Sequence, residues 1–301
     1  MAGPIWVRRI GVLTLAFLLC SVWPAHAGPI GYWRLEDGPV GTEATTLASE
    51  ANSPLLDGTE GGSASGAMAF SDQVPDIIIL DPVTGTTAAN TLSLFTKRVG
   101  NNRFDVDDNL NVPPLHEPDT FSCEMFIKAG DDVSGYRVMA RKTRGGANGS
   151  WFLMANAGRI GLRVDSDIDL NGDGDTNDPG EGRFNQGLYS NVAAHGSIDD
   201  GQWHHIAVTY DDSPATFKLY KDYSYIGQLV PGNGGSIVYD GGVLHLGGRN
   251  NGNGWEGWMD ELRLVDDVLT PEQFLRAIPE PATLSLLGLG LAALARRRRR
   301  R

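Results

Sequence analysis

Between its two ends the chain consists of short apolar or alternating runs separated by Gly, Asn, Asp and Pro, without heptads, repeats or sustained helical periodicity. Many short strands joined by glycine-rich turns favour an all-β fold, and an antiparallel sandwich in particular. One short helix is predicted, where Thr270 can cap it and Pro271 fits its first turn. The segments predicted as strands are 31–35, 66–70, 77–80, 120–128, 137–141, 150–155, 159–164, 204–210, 216–221, 243–247 and 257–265.

Residues 1–27 are predicted to be a signal peptide with a helical apolar core. Arg8 and Arg9 precede an apolar run at 10–23, and small residues up to Ala27 fit the site that a signal peptidase cuts. The run is shorter than the roughly 20 residues that a membrane span needs. We therefore expect export by the Sec machinery and cleavage after Ala27.

The last residues, 278–301, form a second terminal signal. Pro279, Glu280 and Pro281 precede the apolar stretch 282–295, and six arginines end the chain. As a helix this stretch spans about 21 Å, less than the roughly 30 Å hydrocarbon core of a bilayer. The arginines would keep its end in the cytoplasm. An ordinary tail anchor is the alternative reading.

These three parts, in this order, resemble the PEP-CTERM sorting signal. The resemblance implies recognition by an exosortase, a membrane protease-transferase that removes the tail, in a Gram-negative cell that makes extracellular polysaccharide. It also implies transient anchoring in the inner membrane, followed by release to the cell surface or the extracellular matrix. The residues that carry the motif are Pro279, Glu280, Pro281, Arg296, Arg297 and Arg298.

The body between the two signals is strongly acidic. The chain has 25 basic and 37 acidic residues; two Arg lie in the leader, and six Arg with one Glu lie in the tail. The body therefore holds 17 basic and 36 acidic residues, a net charge of −19. Such a charge repels nucleic acid, which is excluded as a partner. Cys123 alternates with apolar residues, so we expect it in the core.

Several segments of the body resemble the laminin G-like, concanavalin A-like jelly-roll domains. The sharpest match is 201–211, which reads GQWHHIAVTYD. Tyr223 stands where the family usually has Gly, so that turn is expected to differ. The resemblance implies an antiparallel two-sheet jelly-roll sandwich for 28–277. The segments that carry it are 32–35, 67–70, 121–128, 201–211, 219–222, 244–249 and 255–264, with the closing helix at 269–273.

A run of alternating acids predicts a calcium site. Calcium binds six to eight oxygens, and EF-hand-type loops supply them at alternate positions with Gly at the sixth. Counting from Asp167 places Gly172 sixth and Asp178 twelfth; counting from Asp169 leaves Gly180 twelfth, so the first register is preferred. The expected role is structural, and a solvated acidic loop is the alternative. The candidate ligands in this insertion, 165–181, are Asp167, Asp169, Asn171, Asp173, Asp175 and Asp178.

Catalysis is not expected. Glu256 and Asp260 are the nearest pair of carboxylates that a glycosidase on this fold would need, with Trp258 between them. The arrangement Glu-x-Asp-x-x-Glu is absent, and Asp260 falls inside the structural motif of the resembled family. A glycoside hydrolase or lyase remains the third reading of the function.

The leading reading is an exported, non-enzymatic binding module for the cell surface or matrix, with polysaccharide as its ligand class. Trp151 and Trp255 lie near Gly- and Asn-rich turns and could form a platform on which sugars stack, although packing in the core or at its rim is the favoured account of each. A purely structural matrix protein without a discrete ligand is the second reading.

Overall fold

The computed structural model describes residues 28–275, except for 53, 63–67, 99–100, 108–117, 133, 144–148, 174, 240–241 and 250–251. Within these residues the chain forms two large antiparallel sheets, of eight and nine strands, and a separate two-stranded hairpin. The predicted all-β antiparallel sandwich is confirmed. The signal peptide at 1–27 and the tail at 278–301, each predicted to contain a helix, lie outside the described residues.

The eight-stranded sheet contains the longest central pair of the fold. In the middle of the sheet, the long strand at 120–129 pairs along its length with the strand at 203–212 on one side and with the final strand on the other. In spatial order the strands are β16 (Ser224–Leu229), β15 (Ala215–Lys221), β14 (Trp203–Asp212), β9 (Thr120–Ala129), β19 (Gly257–Val265), β7 (Ser93–Thr96) and β4 (Met68–Ser71), and β1 (Pro29–Trp33) also pairs with β19.

The nine-stranded sheet faces the first across the core. Its strands, in spatial order, are β13 (Gly182–Tyr189), β12 (Arg159–Asp169), β11 (Gly149–Asn156), β10 (Tyr136–Thr143), β18 (Leu244–Leu246), β8 (Arg103–Val106), β3 (Gly58–Gly61) and β2 (Thr46–Leu47), and β17 (Ser236–Ile237) pairs with β12. The hairpin consists of β5 (Ile78–Leu80) and β6 (Thr87–Ala89).

Helical structure in the described ranges is limited to two short elements. These are α1 (Val192–His195), which Asn191 caps through its side chain, and a 3₁₀-helix at Pro231–Gly234. No helix of the described ranges combines the length and the apolar character that crossing a bilayer requires.

The helix predicted at Thr270 and Pro271 is wrong. The backbone N–H of Gln273 donates to the carbonyl of Thr270 at 2.8 Å, and the Gln273 side chain accepts from the N–H of Thr270, so the chain makes a turn there. Leu269 and Leu275 are buried on either side of this turn. Both side chains pack against the eight-stranded sheet, and the chain between them makes a turn, not a helix.

The core lies between the two sheets. Trp33, Trp151 and Phe121 are almost completely buried in it, and the rings of Phe121 and Trp151 stack with centroids 4.8 Å apart. Cys123 is 1% exposed in the same cluster, as predicted.

The outer face of the eight-stranded sheet is covered by the chain itself. Leu269, Phe274 and Leu275 in the closing segment (266–275) are buried on this face, as is Ile79 of β5. The outer face of the nine-stranded sheet carries a different set of residues, and the candidate site lies there.

Candidate functional site

Strand register places a row of charged and aromatic side chains across the outer face of the nine-stranded sheet. Arg141 on β10 lies opposite Phe152 on β11 and His245 on β18; Phe152 in turn lies opposite Arg163, and His245 opposite Asp105. Their strand neighbours fill the core, so these side chains face outward. The row crosses five strands, about 19 Å at the usual strand spacing.

We call these five residues, with the adjacent Arg103 and Arg249, the basic row. The guanidinium carbons of Arg141 and Arg249 lie 5.1 and 5.8 Å from the centroid of the Phe152 ring. The Phe152 ring is only 2% exposed. It therefore supports both guanidinium groups through cation–π contacts.

The carboxylates of this face are already engaged by two arginines. Asp105 accepts from Arg103 Nε at 2.6 Å and from Nη2 at 3.0 Å. Asp165 accepts from Arg183 Nε at 3.0 Å and Nη2 at 2.8 Å, while Arg163 Nη2 lies 3.7 Å from its second oxygen. Each carboxylate thus has one close guanidinium partner.

Arg249 differs from its neighbours because it makes no ion pair with any part of the chain that the structure describes. Its Nε and the Nε of Arg163 also have no hydrogen-bond partner there. Both side chains are partly exposed. Burial and the nearby charge of Arg163 lower the pKa of Arg249. Arg249 therefore carries a partly exposed positive charge that no described carboxylate pairs with.

The positive charges of the row lie close enough together to shift one another's pKa values. Burial, and then the charges of Arg141, Arg103 and Arg249, lower the pKa of His245 to about 3. Burial, and then Arg249 and Arg103, lower the pKa of Arg141 to about 10. His245 is therefore neutral near pH 7, and the arginines carry the positive charge of the row.

Two tyrosines lie beside the basic row. Tyr189 packs over Gly161, where an added Cβ would lie only 2.5 Å from the ring. The Tyr136 ring lies 6.5 Å from that of Tyr189 in an edge-to-face arrangement, and Tyr136 is 39% exposed. The Arg159 guanidinium lies 5.1 Å from the Tyr189 ring. Burial raises the pKa of Tyr189 to about 12, so its hydroxyl stays protonated.

The two tryptophans predicted to stack on sugars lie in the core instead. Trp151 is 2% exposed and stacks on Phe121, and Trp255 is 0% exposed, with its Nε1 donating to the carbonyl of Trp258 at 3.3 Å. A sugar needs an exposed ring face. Trp151 and Trp255 therefore offer no stacking platform here, because the inter-sheet space takes up both rings.

The first acids of the predicted calcium loop belong to a strand. Asp167 and Asp169 form the end of β12, opposite Arg183 of β13 and Ser236 of β17. Asp169 Oδ1 accepts from the backbone N–H groups of Asn171 and Gly172, at 3.1 and 2.6 Å. This carboxylate therefore caps the turn that leaves the strand.

Other acids of the loop also accept hydrogen bonds from groups within the loop. Asp173 Oδ1 accepts from the N–H of Asp175 at 3.0 Å, and Asp178 Oδ2 accepts from Asn171 Nδ2 at 2.7 Å. The charge of Glu181, followed by burial, raises the pKa of Asp178. Among the described residues no three His, Cys, Asp or Glu side chains form a group that could hold a metal. Calcium binding stays a prediction.

The carboxylate pair considered for catalysis does not form an open site. Asp260 is 0% exposed on the outer side of the eight-stranded sheet, and Asn90 Nδ2 donates to it at 2.6 Å. Its neighbour Glu261 accepts from the hydroxyl of Tyr32. Burial, and then the charge of Glu261, raise the pKa of Asp260 well above its usual range. Because Asp260 is completely buried and Glu256 is only partly buried, the two carboxylates do not line one accessible cleft.

A second buried charge network lies on the same sheet. Glu124 is completely buried and accepts from Arg263 Nε at 2.6 Å, from His205 Nε2 at 2.7 Å and from the backbone N–H of Leu275 at 2.9 Å. Burial alone would raise the pKa of Glu124, but Arg263 and His205 lower it overall. The network holds the closing segment on the sheet.

Sequence reasoning missed the basic row, although a signal for it exists. Arg163 stands between Leu162 and Val164 in a predicted strand, so strand alternation places it on the face away from the core, and Arg141 follows the apolar run 138–140. Sequence alone does not show that these two positions share a row with Phe152 and His245, because the register between strands sets it.

Comparisons with known proteins agree with this architecture. Residues 100–274 match the profile of the Concanavalin A-like lectin/glucanases superfamily, and residues 277–300 match the PEP-CTERM protein-sorting motif. The sorting motif indicates export to the cell surface or beyond and processing by an exosortase. The predicted sorting residues Pro279, Glu280 and Pro281, with Arg296, Arg297 and Arg298, all lie within the matched range.

Curated relatives are similar over a short segment. The mouse protein "Sushi, von Willebrand factor type A, EGF and pentraxin domain-containing protein 1" is 31% identical over 85 residues, which are 26% of this chain and 2% of that protein. The chain thus spans about 2% of the length of the curated relatives that it matches.

Solved structures share the fold at low identity. The binding domain of Paraclostridial Mosquitocidal Protein 1 is 11% identical with a TM-score of 0.51, over 78% of this chain and 49% of that one. The Ruminococcus gnavus IT-sialidase CBM40 bound to alpha2,3 sialyllactose is 17% identical with a TM-score of 0.42, over 57% of this chain and 90% of that one. The profile match, by contrast, covers more than half of the 301 residues. The chain therefore belongs to the Concanavalin A-like lectin/glucanases superfamily.

Proposed function

We propose that the protein is an exported, non-catalytic surface module that binds carbohydrate on the outer face of its nine-stranded sheet. The observation that carries the proposal is the pair of partly exposed arginines of the basic row, Arg163 and Arg249, on the same face as Tyr136 and Tyr189. Lectins and glucanases, the two groups that the superfamily is named for, both engage sugars, which supports carbohydrate as the ligand class.

The surface has the two kinds of group that a sugar site needs. A pyranose ring offers an apolar face to an aromatic ring, and its oxygens accept from directed N–H donors. Tyr136 and Tyr189 supply the rings, and the partly exposed side chains of Arg163 and Arg249 supply guanidinium N–H donors. Phe152 supports the arginine side chains from below.

The two terminal signals fit a function outside the cell. In this proposal the Sec machinery exports the chain, the apolar part of the tail holds it briefly in the inner membrane, and an exosortase then removes the tail. The module reaches the cell surface or the extracellular polysaccharide, which is the proposed partner. The match at 277–300 supports the processing step.

The test is a glycan array, probed with the full chain in a detergent that has no sugar headgroup. We expect selective binding that falls by about two- to tenfold in Tyr136→Ala, because a stacking ring contributes about 0.5–1.5 kcal/mol beyond its buried area. Tyr225→Ala is the matched control, since Tyr225 is 50% exposed on β16 of the other sheet.

Absence of binding to any glycan by folded protein would overturn the proposal. It would favour the second reading, a structural matrix protein without a discrete ligand. Equal losses in Tyr136→Ala and Tyr225→Ala would place the site elsewhere on the molecule.

A further inference from the structure

The basic row is unusual for this chain because the chain as a whole is acidic. The formal net charge is −12, with 37 acidic and 25 basic residues. Yet one face brings together Arg103, Arg141, Arg163 and Arg249, whose charges act on one another or on His245. Placing like charges together costs free energy. Asp105 pairs with Arg103 and Asp165 lies near Arg163, so Arg249 is the arginine of this face for which a compensating group is sought.

The other arginine network of the sandwich shows what a structural arginine looks like here. Arg263 donates from Nε to the buried Glu124 and from Nη2 to the carbonyl of Gln273 at 2.9 Å. Arg249 has no ion pair within the described ranges, and its Nε has no acceptor there. A guanidinium that only supported the fold would be expected to carry such bonds.

We propose that the ligand is an acidic saccharide whose anionic group, a carboxylate or a sulfate, is bound by Arg163 and Arg249 above the Phe152 ring. The inference rests on the proposed carbohydrate-binding function and names the chemistry that the site selects. Guanidinium groups suit this task because their planar donors match the two oxygens of an anion.

Charge also limits the kind of polyanion that can bind. A body with a net charge of −19 repels densely charged chains such as nucleic acid at long range. A saccharide that places an anionic group among neutral, stackable rings avoids much of that repulsion. Tyr189, next to the row, packs with Phe152 and Met154 in one apolar cluster that can receive such a ring.

The experiment measures binding of the full chain to four probes by calorimetry, with a chelator present to exclude bridging by calcium. The probes are a partly methyl-esterified oligogalacturonate, the same oligomer with its carboxyl groups reduced to alcohols, a sparsely sulfated dextran and neutral dextran. We expect an acidic probe to bind at least about tenfold more tightly than its neutral counterpart, because charge-assisted hydrogen bonds are lost with the anion. The first two probes report on carboxylate, and the last two on sulfate.

Variants identify the groups responsible. Arg249→Gln and Arg163→Gln should each raise Kd for the acidic probe about tenfold or more, and Arg249→Lys should show a smaller loss. Arg98→Gln is the matched control, because it removes the same charge from an exposed pair with Asp132 outside the row. A thermal melt of each variant verifies that it is folded, and Arg163→Gln provides a second test where Arg249→Gln fails to fold.

Two results would overturn the inference, and they separate it from the proposed function. If neutral and acidic probes bind equally and Arg249→Gln behaves as Arg98→Gln does, carbohydrate binding stands and anion selection fails. If folded protein binds no saccharide of either kind, here or on the glycan array, both proposals fail.

Discussion

The two outer faces of the sandwich both carry buried charge, but they neutralise it differently. On the eight-stranded sheet, Glu124 accepts from Arg263, His205 and the backbone of Leu275, so both of its oxygens have donors. On the nine-stranded sheet, Arg249 has no ion pair in the part of the chain that the structure describes. The charge of Glu124 is neutralised within the chain, as in a network that supports the fold, whereas the charge of Arg249 is not neutralised by any described carboxylate.

The two outer faces also differ in where they lie relative to the end of the described chain. The closing segment covers the eight-stranded sheet and reaches its last described residue, Leu275, on that face, and the sorting motif begins at 277. The basic row lies on the opposite side of the core. The last described residue thus lies on the opposite side of the sandwich from the proposed ligand surface.

The strongest test of this contrast compares one charge from each face. Glu124→Gln leaves Arg263 buried without its counter-charge, and removing one partner of a buried pair typically costs about 3–5 kcal/mol of unfolding free energy. Arg249→Gln should change stability by less than about 1 kcal/mol, because it removes no ion pair. Urea denaturation of both variants measures the difference. Similar losses in the two would show that the basic row supports the fold as well.

A second test uses the pH dependence of the unfolding free energy, which Glu261 of the eight-stranded sheet is expected to influence. Burial, the largest cause, raises the pKa of Glu261 to about 7 in the folded protein, from an ordinary value of 4.5. Because the folded pKa is the higher one, its contribution to stability is present below pH 4.5 and is lost as the pH rises through 7. The loss is roughly 3 kcal/mol at 1.36 kcal/mol per unit.

Unfolding free energies between pH 5 and pH 8 check this expectation. Glu261→Gln resembles the protonated acid, so its stability should depend less on pH across that interval. Glu50→Gln, at an exposed carboxylate, is the control and should follow the unmodified chain. An unchanged slope in Glu261→Gln would assign the dependence to other groups, and to the buried Asp260 first.

Much of the fold was predictable from sequence because strand patterns in the core are local. Every predicted strand overlaps an observed one, including the two long central ones at 120–128 and 204–210. The strands that were missed are mostly short or lie toward the sheet edges, where apolar patterning is weak, as in β13 with its largely exposed residues. The predicted helix failed because burial of Leu269 and Leu275 outweighed a capping signal.

The candidate site was less predictable, since it depends on register. Trp151 and Trp255 suggested exposure through the turns near them, yet their size filled the space between the sheets. Arg141 and Arg163 were visible in the sequence as charges within predicted strands. Only the pairing of β10 with β11 and β18 brings Arg141 beside Phe152 and His245. Contacts between strands far apart in sequence carry this information.

The smallest change in stability is expected at the Asp-rich loop, which follows β12 of the nine-stranded sheet. If the loop binds calcium, free calcium at ten times Kd should raise the unfolding free energy by about 1.4 kcal/mol, or about 3–6 °C in Tm. Thermal melts in calcium and in chelator measure this shift. The double variant Asp173→Asn, Asp178→Asn should abolish it, whereas Asp199→Asn, at an exposed acid outside the loop, should keep it. An identical Tm in calcium and chelator would mean that the bonds from Asp169 and Asp173 to the backbone order the loop without a cation. Ligand binding on the outer face of the nine-stranded sheet would then depend on the basic row alone.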